Sequence, residues 1–95
     1  MTDAEITRLC ARAMRLRITK ETSWGIYVCP IDGLESFNRY DPLHDDAQMV
    51  ALGKSDPELF EECVCEWASM IRCGERPDLN RIVCTAFAKM QQAKP

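Results

Sequence analysis

The only histidine of the chain, His44, stands in the stretch RYDPLHDDAQ beside Asp41, Asp45 and Asp46. Imidazole among carboxylates is a combination that binds divalent metals and relays protons. If a helix began at Asp41, then Asp41, His44 and Asp45 would share one face, because side chains three and four apart are neighbours on a helix. The same letters also describe how a helix begins. Asp41-Pro42 sets an N-cap before a proline at the first helical position, Asp45 and Gln48 have the spacing of a second cap, and first-turn aspartates complement the helix dipole. Capping is the simpler reading, and Asp45 and Asp46 would repel a phosphate from the free N–H groups there.

The second set of reactive residues is the cysteines: Cys10, Cys29, Cys63, Cys65, Cys73 and Cys84. Cys63, Cys65 and Cys73 with His44 would make four zinc ligands, which is the basis for an alternative reading as a zinc-stabilised, cysteine-rich module. The spacing argues against it, since zinc knuckles place two to four residues between paired cysteines and Cys63-x-Cys65 has one. The opening MTDAEITRLCARAM carries early acids and no hydrophobic export segment, so the thiols read as reduced, buried and structural, in the cytoplasm of a host cell. No oxyanion loop accompanies a Cys–His pair, and there is no GxGxxG, Walker loop or Ser/His/Asp signal. The expectation is a protein that is not an enzyme, with no catalytic residue, metal or cofactor.

Ninety-five residues make one domain, with a folded core over about 2–91. At this size folding buries only about 60–65% of the surface the unfolded chain exposes, which leaves little room for a deep substrate cavity. No run of about 18 apolar residues is present to cross a bilayer. Net charge is −3, but its layout is uneven: residues 1–20 hold five basic and two acidic side chains, and residues 79–95 hold three basic and none acidic. Between Asp41 and Glu66 eight carboxylates face the single cation Lys54. That density disfavours direct contact with nucleic-acid phosphates and suits a basic protein surface. Asp45, Asp46, Glu61, Glu62 and Glu66 are the candidate partner-binding residues. The late arginines of the first helix, Arg8, Arg12, Arg15 and Arg17, read as a solvated face, with a partner-binding or anion-binding stripe as the alternative.

The elements that would carry these groups follow from periodicity. Thr2-x-x-Glu5 is a capping box, followed by Ile6, Leu9, Cys10 and Ala13 at helical spacing, so helix 1 is predicted to about Arg17. Trp24 to Cys29 is aromatic and β-branched and is broken by Pro30-Ile31-Asp32-Gly33, with Leu34 to Tyr40 as the return strand of a hairpin. Leu43, Ala47, Val50 and Ala51 give helix 2 one face, and Gly53 suits a left-handed stop. From Asp56 to Cys73 a helical stripe competes with the period-two run Glu62 to Trp67. Asp78 caps a last helix whose inward set is Leu79, Ile82, Val83, Ala86, Phe87 and Met90. The aromatics Trp24, Tyr27, Phe37, Tyr40, Phe60, Trp67 and Phe87 read mostly as core, although a partly exposed tryptophan would anchor a partner.

With Tyr40-Asp41-Pro42-Leu43-x-Asp45-Asp46 and Asp78-Leu79-Asn80-Arg81 both in place, the chain resembles the small phage and prophage proteins of the phage ABA sandwich domain family. Trp67-Ala68-Ser69-Met70-Ile71-Arg72-Cys73-Gly74 looks like the tryptophan strand of that family, and Ala88-Lys89-Met90-Gln91 looks like its helix end. His44 stands where threonine is common, and Ile82 where alanine is frequent. The resemblance implies a viral or prophage origin and an α+β fold: a small antiparallel sheet packed with about three helices, sandwich-like. It also implies a strand pair over 56–73. It brings no catalytic residue. Taken together, these readings point to an accessory protein that binds a host or phage macromolecule through an acidic surface, with anti-CRISPR-like inhibition included. A homo-oligomeric module with the first or last helix as its seam is the remaining alternative.

Overall fold

A computed structural model of the protein describes residues 1–30 and 38–94. The fold is α+β: α1 (Asp3–Ala13), β1 (Leu16–Thr22), β2 (Gly25–Pro30), β3 (Asn38–Tyr40), α2 (Asp46–Lys54), α3 (Pro57–Arg72) and α4 (Leu79–Ala93). The three strands form one antiparallel sheet in the order β1-β2-β3. Helix α1 lies between the sheet and α4, and α4 in turn packs on α2 and α3.

Helix α1 starts as its capping box requires, with the Glu5 amide donating to Thr2 Oγ1 at 3.2 Å. It stops four residues earlier than its stripe suggests. Met14 is the C-cap, and Arg15 turns the chain out with φ 56°, the left-handed region that glycine usually fills after a helix. An arginine there costs about 1–2 kcal/mol of backbone strain. The turn releases Leu16, Ile18, Thr19 and Thr22, residues that pack well on a pleated surface, into β1. The hairpin is therefore built from β1 and β2 around Ser23 and Trp24, with Thr22 opposite Gly25. A bulge at Thr19 shifts the register, and its hydroxyl donates to the Tyr27 carbonyl at 3.2 Å. Within the expected return strand the described residues Asn38–Tyr40 form β3, opposite Val28, Tyr27 and Ile26. The break at 31–33, Leu34 and Phe37 lie outside the described residues.

The stretch 56–73 is one helix and not a strand pair. Asp56 caps it by accepting from the Leu59 amide at 3.3 Å, Pro57 supplies a first-turn residue with no amide to satisfy, and Gly74 closes it at φ 85°. The tryptophan strand implied at 67–74 is thus the end of α3, which gives four helices among the described residues in place of about three. Its short period-two run loses to sixteen residues of helical pattern with a cap at the start.

Two inward faces also differ from expectation. In α2 the buried residues are Met49, Leu52 and Gly53, while Ala47, Val50 and Ala51 are exposed. The helix starts at Asp46, so its core face is rotated towards Leu52. Gly53 does not end it in a left-handed residue; it sits inside the helix where a β-carbon would lie 2.5–2.8 Å from the Phe60 ring. In α4, Val83, Cys84, Phe87 and Ala88 are buried, whereas Met90, near the end of the helix, is exposed.

The core runs from Ile26, Val28 and Tyr40 of the sheet through Ile6, Cys10 and Ala11 of α1 to Val83, Cys84, Phe87 and Ala88 of α4. Tyr40 buries its hydroxyl with no hydrogen-bond partner among the described residues. Burial, with Cys10 and Cys84 close by, pushes its phenol well above the ordinary range.

Two substitutions check this packing by urea denaturation. Gly53→Ala is expected to lose about 1–2 kcal/mol through overpacking on Phe60, where an open helix interior would gain about 1 kcal/mol from the same change. Tyr40→Phe is expected to be at least as stable as the wild type, because removing an unsatisfied buried hydroxyl relieves a desolvation cost of about 1 kcal/mol or more.

Candidate partner-binding site

The His44 stretch builds a clasp. The Asp41 carbonyl accepts from the amides of His44 and Asp45 at 3.1 and 2.9 Å, which makes a turn and not a helix start. The cap is Asp45, whose side chain accepts from the Gln48 amide at 3.0 Å. Of the two caps the sequence offers, only the second forms. Gln48 then reaches back across the turn, its Oε1 accepting from the Asp41 amide at 2.6 Å and its Nε2 donating to the Arg39 carbonyl at 2.8 Å. The side chain of Asp41 lies 3.0 Å from His44 Nδ1 and 3.7 Å from the Arg39 guanidinium. His44 itself is largely exposed.

The two motifs at 40–46 and 78–81 meet in space. Asp78 caps α4 through the Arg81 amide at 3.4 Å. Asn80 Nδ2 donates to the Pro42 carbonyl at 3.0 Å and to Asp46 Oδ1 at 3.1 Å, joining the starts of α2 and α4. Arg81 grips Asp3 of α1 with both terminal nitrogens, at 3.0 and 3.2 Å. This bond with Arg81 holds the Asp3 carboxyl below its ordinary value. Arg39, Asp41, His44, Asp3 and Trp24 border one cleft of about 280 Å³. Trp24 is 80% exposed at the hairpin turn, outside the core that its type suggests, with its amide bound to Thr22 Oγ1 at 3.1 Å. Residues 22–25 signal such a turn only once β1 is recognised as its first strand.

The cysteines separate. Cys10, Cys29, Cys63 and Cys84 are buried, but Cys65 and Cys73 are exposed, a correction to the reading of all six as core thiols. On a helix the one-residue gap turns Cys63 and Cys65 about 200° apart, so they cannot converge on one ion. Among the described residues no three of the His, Cys, Asp and Glu side chains are grouped to hold a metal. Burial raises the Cys63 thiol above its ordinary range, with Glu66 and Glu62 adding to the effect.

The five predicted acidic residues divide into two roles. Asp45 and Asp46 are exposed but engaged, one as a cap and the other as acceptor for Asn80. Glu61, Glu62 and Glu66 are exposed on α3, whose packed stripe carries Leu59, Phe60, Cys63 and Trp67 and is bordered by Glu66, and no ion pair among the described residues includes them. Glu58, four residues before Glu62, extends the same ridge; its helical spacing marks it once 56–73 is read as helix. Beside Glu66 opens a groove of about 460 Å³ between α3 and α4, floored by Met70, Ile82 and Ala86 and edged by Arg81 and Lys89. Ile82, expected to face inward, is half-buried there. The indole of Trp67 donates to the Pro77 carbonyl at 3.3 Å and pins the loop at one end of this groove.

The Asp3–Arg81 bond gives a pH signature. Because Asp3 is depressed in the folded state, its contribution to stability is present above the ordinary carboxylate value and is lost as pH falls through the depressed one. An NMR titration should place the Asp3 carboxyl below an unpaired aspartate. Arg81→Gln should return it to the ordinary range. Compared with known proteins, the chain matches no family model, no curated protein and no solved structure.

Proposed function

We propose that the chain is a phage or prophage accessory protein that acts by binding, without chemistry of its own, to a basic surface on a host or phage protein. Its acidic ridge on α3 would cover a surface that otherwise holds nucleic acid, as an anti-defence inhibitor does. The observation that carries this reading is the exposure of Glu58, Glu61, Glu62 and Glu66 along α3 with no ion pair to any described residue. Carboxylates left unpaired on a helix repel one another, so a cationic partner relieves that repulsion as it binds. The groove beside Glu66 adds an apolar anchor at Met70, Ile82 and Ala86 next to the charged ridge, the arrangement of a buried contact with a polar rim. The phage attribution rests on the resemblance of the motifs at 40–46 and 78–81, and their mutual contact through Asn80 gives those residues a shared structural reason.

Affinity capture from a bacterial host lysate, followed by mass spectrometry, tests the proposal when run with wild type and with a Glu58→Gln, Glu61→Gln, Glu62→Gln, Glu66→Gln variant. Asp45 and Asp46 are left intact because they hold the helix starts. A basic protein retained by the wild type, released as salt rises and lost with the variant supports the acidic ridge. Identical capture by both proteins, or binding that stays flat with salt, overturns it.

A further inference from the structure

On the opposite side of the charge layout, Arg8, Arg12 and Arg15 converge over Leu16 and Ile18 to line a shallow groove of about 280 Å³ between α1 and β1. Arg8 is committed, its Nε bonding Glu21 at 2.8 Å. The guanidinium groups of Arg12 and Arg15 have no hydrogen bond or ion pair with any described residue. Strand β1 is the outer strand of the sheet, so among the described residues its far edge pairs with no other strand. Arg15 holds the left-handed position where glycine would be unstrained. A strained arginine at a glycine position is an outlier that points to a use for the side chain.

We propose that this groove docks an extended acidic segment of a partner protein, which adds to the sheet as a strand along the open edge of β1. The outer edge of β1 has no strand partner among the described residues, and such a segment would supply one. Half-buried Leu16 and Ile18 offer an apolar strip to alternate side chains, and Arg12 and Arg15 meet its carboxylates. An extended peptide fits these three features together, whereas the phosphates of a nucleic acid would use the arginines alone. The inference is independent of the acidic ridge on α3.

The test is fluorescence anisotropy with the full chain and a labelled peptide alternating valine and glutamate. Three comparisons accompany it: a glutamine-for-glutamate peptide, an N-methylated peptide that cannot donate to a strand edge, and single-stranded oligothymidylate. The expected result is binding of the acidic peptide alone, weakened about tenfold by Arg12→Ala and by Arg15→Gly. Arg15→Gly should at the same time raise Tm, because it relieves the left-handed strain; lost binding with a more stable fold separates a docking role from a structural one. Amide NMR shifts on adding the peptide should centre on residues 16–22. Absence of binding, equal binding of the N-methylated peptide, tighter binding of oligothymidylate, or unchanged affinity in both arginine variants would overturn the proposal.

Discussion

The close approach of α1 to α4 is the contact on which the rest of the molecule depends. It is made by small side chains, Cys10 and Ala11 on one helix and Cys84 and Ala88 on the other, all fully buried. The Cys10 thiol donates to the Cys84 carbonyl at 3.4 Å across the seam. Its neighbour Cys10, together with burial, holds the Cys84 thiol far above its ordinary range, so this sulfur stays protonated and unreactive. A bulkier residue at any of these four positions would separate the helices and unseat the sheet on one side and α2 and α3 on the other.

From that seam the polar clasps follow. Arg81 and Asp3 close the open end of the α1–α4 pair, and Asn80 ties in the start of α2. These bonds draw on the residues that look most like chemistry in the sequence. Asp41, His44, Asp45 and Asp46 are occupied as turn acceptor, side-chain partner, cap and inter-helix acceptor. Glu58, Glu61, Glu62 and Glu66 on α3, and Arg12 and Arg15 in the α1–β1 groove, take no part in these clasps and make no ion pair with any described residue.

Much of the architecture was legible from local rules. The caps at Thr2, Asp45, Asp56 and Asp78 are written in single residues and their spacing, and each forms. The inward position of Cys10 follows from the stripe it occupies. What was not legible was any choice between competing local signals. Residues 14–17 continue the pattern of α1, yet Arg15 takes a strained turn because β1 gains a partner in β2. The run 62–67 alternates like a strand, but α4 offers a helix-shaped surface and no strand edge. The core face of α2 rotated towards Leu52 and Gly53 because Phe60 packs there, a contact with no trace in the local pattern.

By itself the sequence determined the α+β class, the helix starts and the segregation of charge along the chain, because capping, periodicity and composition act within a few residues. Only the tertiary structure decided which charges remain available. Asp45 and Glu62 look alike in a list of acidic residues. One is held by its own helix start and the other faces solvent unpaired, and that difference arises from three-dimensional neighbours. The same holds for Trp24, whose type suggests core but whose place in a two-residue hairpin turn leaves it outside. Burial and pairing depend on long-range contacts, and no local pattern encodes them.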